Sequence, residues 1–335
     1  MDVLPTVAGI VYFIIGFYGA AHNLLTGLIF VSMKEFRKPA FFLMANLCIC
    51  DVSELVSASL YPAYRLLVMT NTTQITQLDQ YMGLNAAISW WIGGVMFVLI
   101  SLNRFIAIKY WKSMTSWFSL RKTIAYVFMP HLFFWSVFYG WFFLEHQSVV
   151  PWVQGYLTFA FLKSGPRFFN TAYAIVCAAV QITFNILTIL AVKQTRKAHR
   201  GDSKYAVTTK NRLRQEHKLN IQCFLTSTVY CLAVFFFQVF FAIMYLFRLT
   251  AIHFAIMHVI WMTNHIVNPM VYLAFNRPLR EVTLRWLKRC VGIRVEESQV
   301  TGQSSQGGNR AFTKRSTVAA GGGRTSRAMS TAAVR

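Results

Sequence analysis

The chain has 335 residues, 56% of them hydrophobic and 16% aromatic, while only 13% are charged, about half the charged fraction of an ordinary soluble domain. Thirty-three Lys and Arg against 11 Asp and Glu give a formal net charge of +22. On a soluble chain that excess would point to nucleic acid; the long charge-free stretches point to a bilayer instead and exclude nucleic acid as the partner.

Roughly 20 apolar residues cross a bilayer as one helix. Between successive charged residues lie 31 positions from Asp2 to Lys34, 24 from Asp79 to Arg104 and 22 from Lys122 to Glu145. Three more intervals follow, with 25 positions between Arg167 and Lys193, 29 between Lys218 and Arg248, and 28 between Arg248 and Arg277. The stretch from Pro39 to Tyr64 is equally apolar apart from Asp51 and Glu54, which makes a seventh span. The 17 charge-free residues after Glu145 include His146, Gln147, Pro151, Gln154 and Gly155, too short and polar to cross, and read as a loop.

The sequence thus predicts an all-α membrane protein, a bundle of seven transmembrane helices over residues 1–275. Of the 33 basic residues, 28 fall in the loops after spans one, three and five or beyond residue 276. The positive-inside rule makes that side cytoplasmic, so the N-terminus is expected outside. No basic n-region precedes the first apolar run, so no cleavable signal peptide is expected.

Residues 276–291 follow a different pattern. Leu279, Val282, Trp286 and Cys290 recur at three- and four-residue spacing with Arg277, Arg280, Arg285, Lys288 and Arg289 between them, the signature of a short amphipathic helix on the inner leaflet. Asn276 is placed to cap it and Pro278 fits its first turn. Cys290 is a candidate for S-palmitoylation. Residues 292–335 are rich in Gly, Ser, Thr and Ala and are expected to be a disordered cytoplasmic tail. All six cysteines fall in spans or on the cytoplasmic side, leaving no extracellular disulfide, and Asn71 in the sequon Asn71-Thr72-Thr73 is the one candidate for glycosylation.

Polar residues within the spans are costly in hydrocarbon and are expected to face the bundle interior. Asp51 is the deepest charge, with Asn23 of span one and Asn264 and Asn268 of span seven as candidate partners. The last two are four apart and share a helix face.

Asn268-Pro269-Met270-Val271-Tyr272 reads NPxxY at the end of span seven, immediately before the amphipathic segment. That combination resembles rhodopsin-like G-protein-coupled receptors, as does Leu47 followed by Asp51 in span two. Arg104, in the triplet Asn103-Arg104-Phe105, stands where those receptors carry their span-three arginine, but the acid before it is missing. The run NRFIAIKYW from 103 to 111, Phe118-Ser119, Thr123 and the RQEHKLNIQ run opening span six are similar to the nematode serpentine chemoreceptors of class X or class T. The resemblance covers about residues 8–290.

That resemblance implies a chemosensory receptor that takes a small, lipophilic extracellular ligand of the odorant or pheromone class and activates a heterotrimeric G protein. Its partners would include an arrestin-like protein and membrane lipid, and its place the plasma membrane, including sensory cilia. Coupling would then fall to Asn103, Arg104, Phe105, Asn268, Pro269 and Tyr272, with Glu216 as the acid that restrains Arg104. Two positions argue against other ligands: the opsin Schiff-base lysine is here Met262, and the aminergic aspartate is here Ala86. With Trp90, Phe241, Tyr245 and Trp261 they make up the candidate ligand pocket. Arg65, Lys163, Arg167 and Arg248 outnumber the acids expected outside, which favours an anionic ligand group.

No GxSxG, HExxH or P-loop is present, the histidine spacings match no zinc motif, and neither enzyme activity nor a metal or cofactor is expected. A channel or transporter built on Asp51, Glu54 and Arg104 is the rival reading.

Overall fold

The structure, a computed structural model, describes residues 3–69, 74–145, 150–161, 164–198, 206–246, 249–290 and 292. The helices follow the charge-free intervals: α1 (Val3–Ser32), α2 (Pro39–Leu67), α3 (Gln77–Lys109), α4 (Leu120–Glu145), α5 (Ser164–Ala198), α6 (Ala206–Leu246) and α7 (Ala251–Phe275). In lipid every backbone N–H and C=O must be satisfied within its own segment, so each apolar interval closes into a helix. Among the described residues, six helices are long and apolar enough to cross a membrane. The seventh, α7, has the length but carries His258, Asn264, His265 and Asn268, polar groups buried in the bundle, and an exposed His253 in its first turn.

Two features shape the helices that carry the site. In α2 the turn Val56–Leu60 widens to a π-helix before Pro62, which has no N–H to give the preceding turn. At Gly19 of α1 an added Cβ would lie 2.7 Å from Ile266 of α7 and 2.8 Å from Leu55 of α2. The absent side chain lets the three helices meet closely where Asn23 and Asp51 sit.

A short helix α8 (Arg277–Cys290) follows α7. The Asn276 side chain accepts from the Leu279 backbone N–H at 3.2 Å, the expected cap. Leu279 and Val282 are buried, while Leu284, Trp286 and Leu287 stay exposed beside the basic residues. The tail expected over 292–335 lies outside the described residues, apart from Gly292.

The segment expected as a plain loop after α4 contains a small antiparallel hairpin, β1 (Trp152–Val153) and β2 (Thr158–Phe159). It lies over the end of the bundle that bears the N-terminus. Trp152 is 1% exposed and packs edge-on to Phe159 at 5.4 Å and to His258 at 5.9 Å between ring centres. The Tyr12 hydroxyl donates to the Leu157 carbonyl at 2.9 Å, and the Thr158 hydroxyl is hydrogen-bonded to His258 Nδ1 at 2.9 Å. The described cysteines are free thiols, so noncovalent ties hold this cover in place.

Candidate functional site: a covered pocket above a buried polar cluster

Beneath the hairpin is a cavity with about 590 Å³ of empty space, counting its open mouth and the solvent in it. Ala87 and Trp90 of α3, Asn170 and Ala174 of α5, Val234, Phe237 and Gln238 of α6 and Trp261 of α7 form its walls, and Val150, Phe159 and Phe161 close it from above. Among the described residues, no charged side chain lines it. The Asn170 amide oxygen accepts from Trp91 Nε1 at 2.9 Å, which turns its amide nitrogen to be the remaining donor. Trp91 itself faces away, packed on Phe138 at 4.1 Å and Phe169 at 5.3 Å between ring centres, and its carbonyl accepts from the Tyr173 hydroxyl.

Of the expected lining residues, Trp90 and Trp261 are on the wall. Ala86 and Met262, each 1% exposed, are packed between helices instead. Each sits one residue, or about 100° of helix rotation, from a wall residue. The side chains of Phe241 and Tyr245 lie outside the described residues, as do those of Glu216 and Cys290 and the whole of Asn71.

Trp90 is shared between the cavity and a second group of residues. Its ring stands 5.3 Å from Tyr230, 6.3 Å from Phe237 and, edge-on, 5.9 Å from His265. His265 Nδ1 is 2.7 Å from Asp51 Oδ1, and the Asn268 amide donates to Asp51 Oδ2 at 2.9 Å. Asn23 donates to the carbonyls of Gly19, at 3.0 Å, and His265, at 2.9 Å. Asn23, Asp51 and Asn268 therefore meet as the sequence suggested. Asn264 is buried beside them, but the second donor to Asp51 is His265. The three-residue step from His265 to Asn268, one helix face, was the available signal. His258, also buried, bonds the Ala58 carbonyl at 2.6 Å and carries the hairpin on its other nitrogen.

Toward the basic end of the bundle, Asn103 and Arg104 are buried at 0% and 4% exposure, and Phe105 packs against Tyr110 and Phe184. Pro269 and Tyr272 are buried in α7, with Tyr272 5.8 Å from Phe30 between ring centres.

The expectation of a cationic outer surface is corrected at Arg65. It is 1% exposed and its Nε lies 3.1 Å from Asp79 Oδ1, an acid that also accepts from the Tyr61 hydroxyl at 2.8 Å and from the Thr76 backbone N–H at 2.6 Å. Asp79 also caps α3 through Thr76. Arg65 is thus a structural cation, and Arg167 donates to the Phe161 carbonyl at 3.3 Å.

The sequence profile described as "Serpentine type 7TM GPCR chemoreceptor Srx" matches residues 13–276, most of the chain. The chain belongs to the Srx family of serpentine chemoreceptors. Of the two nematode groups that the sequence resembled, it is thus class X that is matched, and the protein is a multi-pass membrane receptor of the seven-helix, G-protein-coupled kind. Its fold is similar to that of squid rhodopsin, whose crystal structure superposes with a TM-score of 0.69 over 89% of each chain at 15% sequence identity. No curated protein sequence matches the chain.

Proposed function

We propose that this Srx receptor sits in the plasma membrane with its N-terminus outside, takes a small, uncharged, lipophilic ligand into the cavity under the hairpin, and activates a heterotrimeric G protein from its basic face. The observation that carries this reading is the position of Trp90. One indole forms part of the cavity wall and stands edge-on to His265, which holds Asp51. A ligand that moves Trp90 acts on the α2–α7 contact and, through Asn268, on the NPxxY segment. Differential affinity for two arrangements of that contact is all that a population shift requires.

The lining described, which carries no charge, favours a ligand class. A carboxylate or ammonium brought against these walls would lose its hydration without meeting a counter-charge among the described residues, a cost of several kcal/mol. An apolar molecule with one acceptor for Asn170 or Gln238 fits the walls, which is the chemistry of many odorants and pheromones. Arg104, Asn103, Phe105 and Glu216 belong to the G-protein face on this reading, and an arrestin-like protein, anionic inner-leaflet lipid at α8 and location in sensory cilia complete it.

The test is expression in reporter cells with a broadly coupling G protein and a screen of neutral volatile and secreted molecules. A response should fall at least tenfold in potency on Trp90→Ala and on Trp261→Ala at equal surface expression. Responses untouched by both substitutions would remove the cavity as the ligand site.

A further inference from the structure

The faces that the helices turn to lipid are largely apolar, and a hydroxyl on such a face is ordinarily used within its own helix. Thr183 of α5 and Thr263 of α7 are exposed, and each donates to the carbonyl four residues back. The seam between α2 and α3 departs from this. Ser53 lies on the outward stripe of α2, between exposed Ile49 and Val56 at four- and three-residue spacing, and Asn85 ends the α3 stripe that runs through exposed Leu78 and Tyr81. Both polar residues are part-exposed.

Asn85 donates one N–H to the Ser53 hydroxyl at 3.0 Å and the other to the Ser57 hydroxyl. Ser89, buried behind them, donates to Ser53 at 2.8 Å. The Asn85 amide is thus left with its carbonyl oxygen, an acceptor, and the Ser53 hydroxyl, which accepts twice, with its own hydrogen, a donor. Unlike the two threonines, Ser53 does not return to the carbonyl four residues back, and neither spare group has a partner among the described residues.

The depth of this pair narrows what can meet it. Asp79, paired with Arg65, marks the polar end of the bundle, and Asn85 is six residues further on, about 9 Å deeper along α3. Lipid hydroxyls and esters lie at the polar boundary. At the depth of Asn85 the bilayer is hydrocarbon, which neither donates nor accepts. A second copy of the chain does both. Two receptors inserted the same way round are related by a two-fold axis along the membrane normal, which leaves every group at its own depth. Ser53 and Asn85 are bonded to each other within one copy and so are level, and across that axis the spare donor of each copy meets the spare acceptor of the other. The set is self-complementary, the condition for an isologous contact.

We propose that the outward α2–α3 seam is a self-association surface of this receptor, in which Ser53 of each copy donates to the Asn85 carbonyl of the other while Ile49, Val56, Leu78 and Tyr81 pack around the pair. Interhelical hydrogen bonds and close packing drive such association, because lipid tails leave no apolar driving force between helices. The cavity walls described include no residue of α2, so pairing and ligand binding use separate surfaces.

The experiment is energy transfer between donor- and acceptor-labelled copies of the full-length receptor, labelled on the tail, in liposomes of increasing protein-to-lipid ratio. The wild type should show transfer above that of random proximity and a defined dissociation constant. Ser53→Ala, which removes the spare donor, and Asn85→Leu, which removes the spare acceptor, should each raise that constant about fivefold or more. Thr183→Val removes a hydroxyl that serves its own helix and should leave the constant unchanged. Transfer no greater than random, an unchanged constant in either seam variant, or equal weakening by Thr183→Val would overturn the proposal. If Asn85→Leu does not fold, Ser53→Ala decides alone between the same outcomes. A seam that holds some other membrane protein would leave the purified receptor at random transfer, and overturns the proposal as well. Neither ligand nor G protein is present, so failure here is separate from any failure of the receptor reading.

Discussion

Gly83→Ala should loosen the hairpin from the bundle. A Cβ at Gly83 would lie 1.6 Å from the Val150 carbonyl oxygen and 2.7 Å from its carbon, both backbone atoms. Side-chain carbons do not approach other atoms closer than 3.0 Å, so the hairpin must retreat by at least 1.4 Å, the difference between 3.0 and 1.6 Å. Its ties to Tyr12 and His258 are each 2.9 Å long and would stretch to about 4.3 Å, beyond hydrogen-bond range. The Tyr12 hydroxyl, fully buried, would lose its partner at about 1–3 kcal/mol, and the Thr158–His258 bond adds about 1 kcal/mol. A loss of about 2–4 kcal/mol corresponds to a fall in Tm of about 5–10 °C for a chain of this size. Gly93→Ala is the control on the same helix. Its nearest neighbour would be Leu47 Cδ1 at an ordinary 3.8 Å, and Ala gains up to about 1 kcal/mol in helix propensity. Thermal unfolding of the two variants, with hydrogen exchange over residues 150–161, decides the matter. A Gly83→Ala receptor that melts with the wild type and protects those amides equally would refute the reasoning.

Asp79→Asn should cost about 3–5 kcal/mol and reduce surface expression, because it leaves the Arg65 guanidinium buried beside a neutral amide; Arg65→Met with Asp79→Leu should recover part of that loss, and full expression of Asp79→Asn alone would contradict the assignment. Glu216→Gln should raise basal signalling if this acid restrains Arg104, as measured by agonist-free reporter activity at matched surface expression; unchanged basal activity would discard the pairing. Truncation after Gly292 removes Ser298, Thr301, Ser304 and the other tail hydroxyls, whose phosphates would each add about −1.5 to −2 charges. It should slow desensitisation while leaving acute signalling intact, and identical desensitisation kinetics would deny the tail that role.

The helices were legible because the bilayer imposes one rule on all of them: a long interval without charge must be a helix. Asn268 and Asp51 were legible through NPxxY and the cost of a buried acid. His265 was not, since a histidine next to Asn264 looks like either a packing residue or a partner, and only the rotation of α7 against α2 decides. The hairpin escaped for another reason. Its strands are two residues each, too short for alternation to register, and their position depends on Gly83, Tyr12 and His258, which are remote in sequence. Trp90 and Trp261, whose large rings face the interior, line the cavity. Ala86 and Met262 lie one position off its wall, because family correspondence places a residue along a helix more securely than around it. Arg65 misled because net charge was counted without its pairing to Asp79.

The most direct measurement of the central claim is guanine-nucleotide exchange on purified heterotrimeric G proteins by the receptor in lipid nanodiscs, with neutral lipophilic molecules from the reporter screen. Exchange should rise with ligand in the wild type and be lost in Trp90→Ala and Trp261→Ala variants that remain folded. Exchange on no class of G protein, or a ligand response that survives both substitutions, would contradict it.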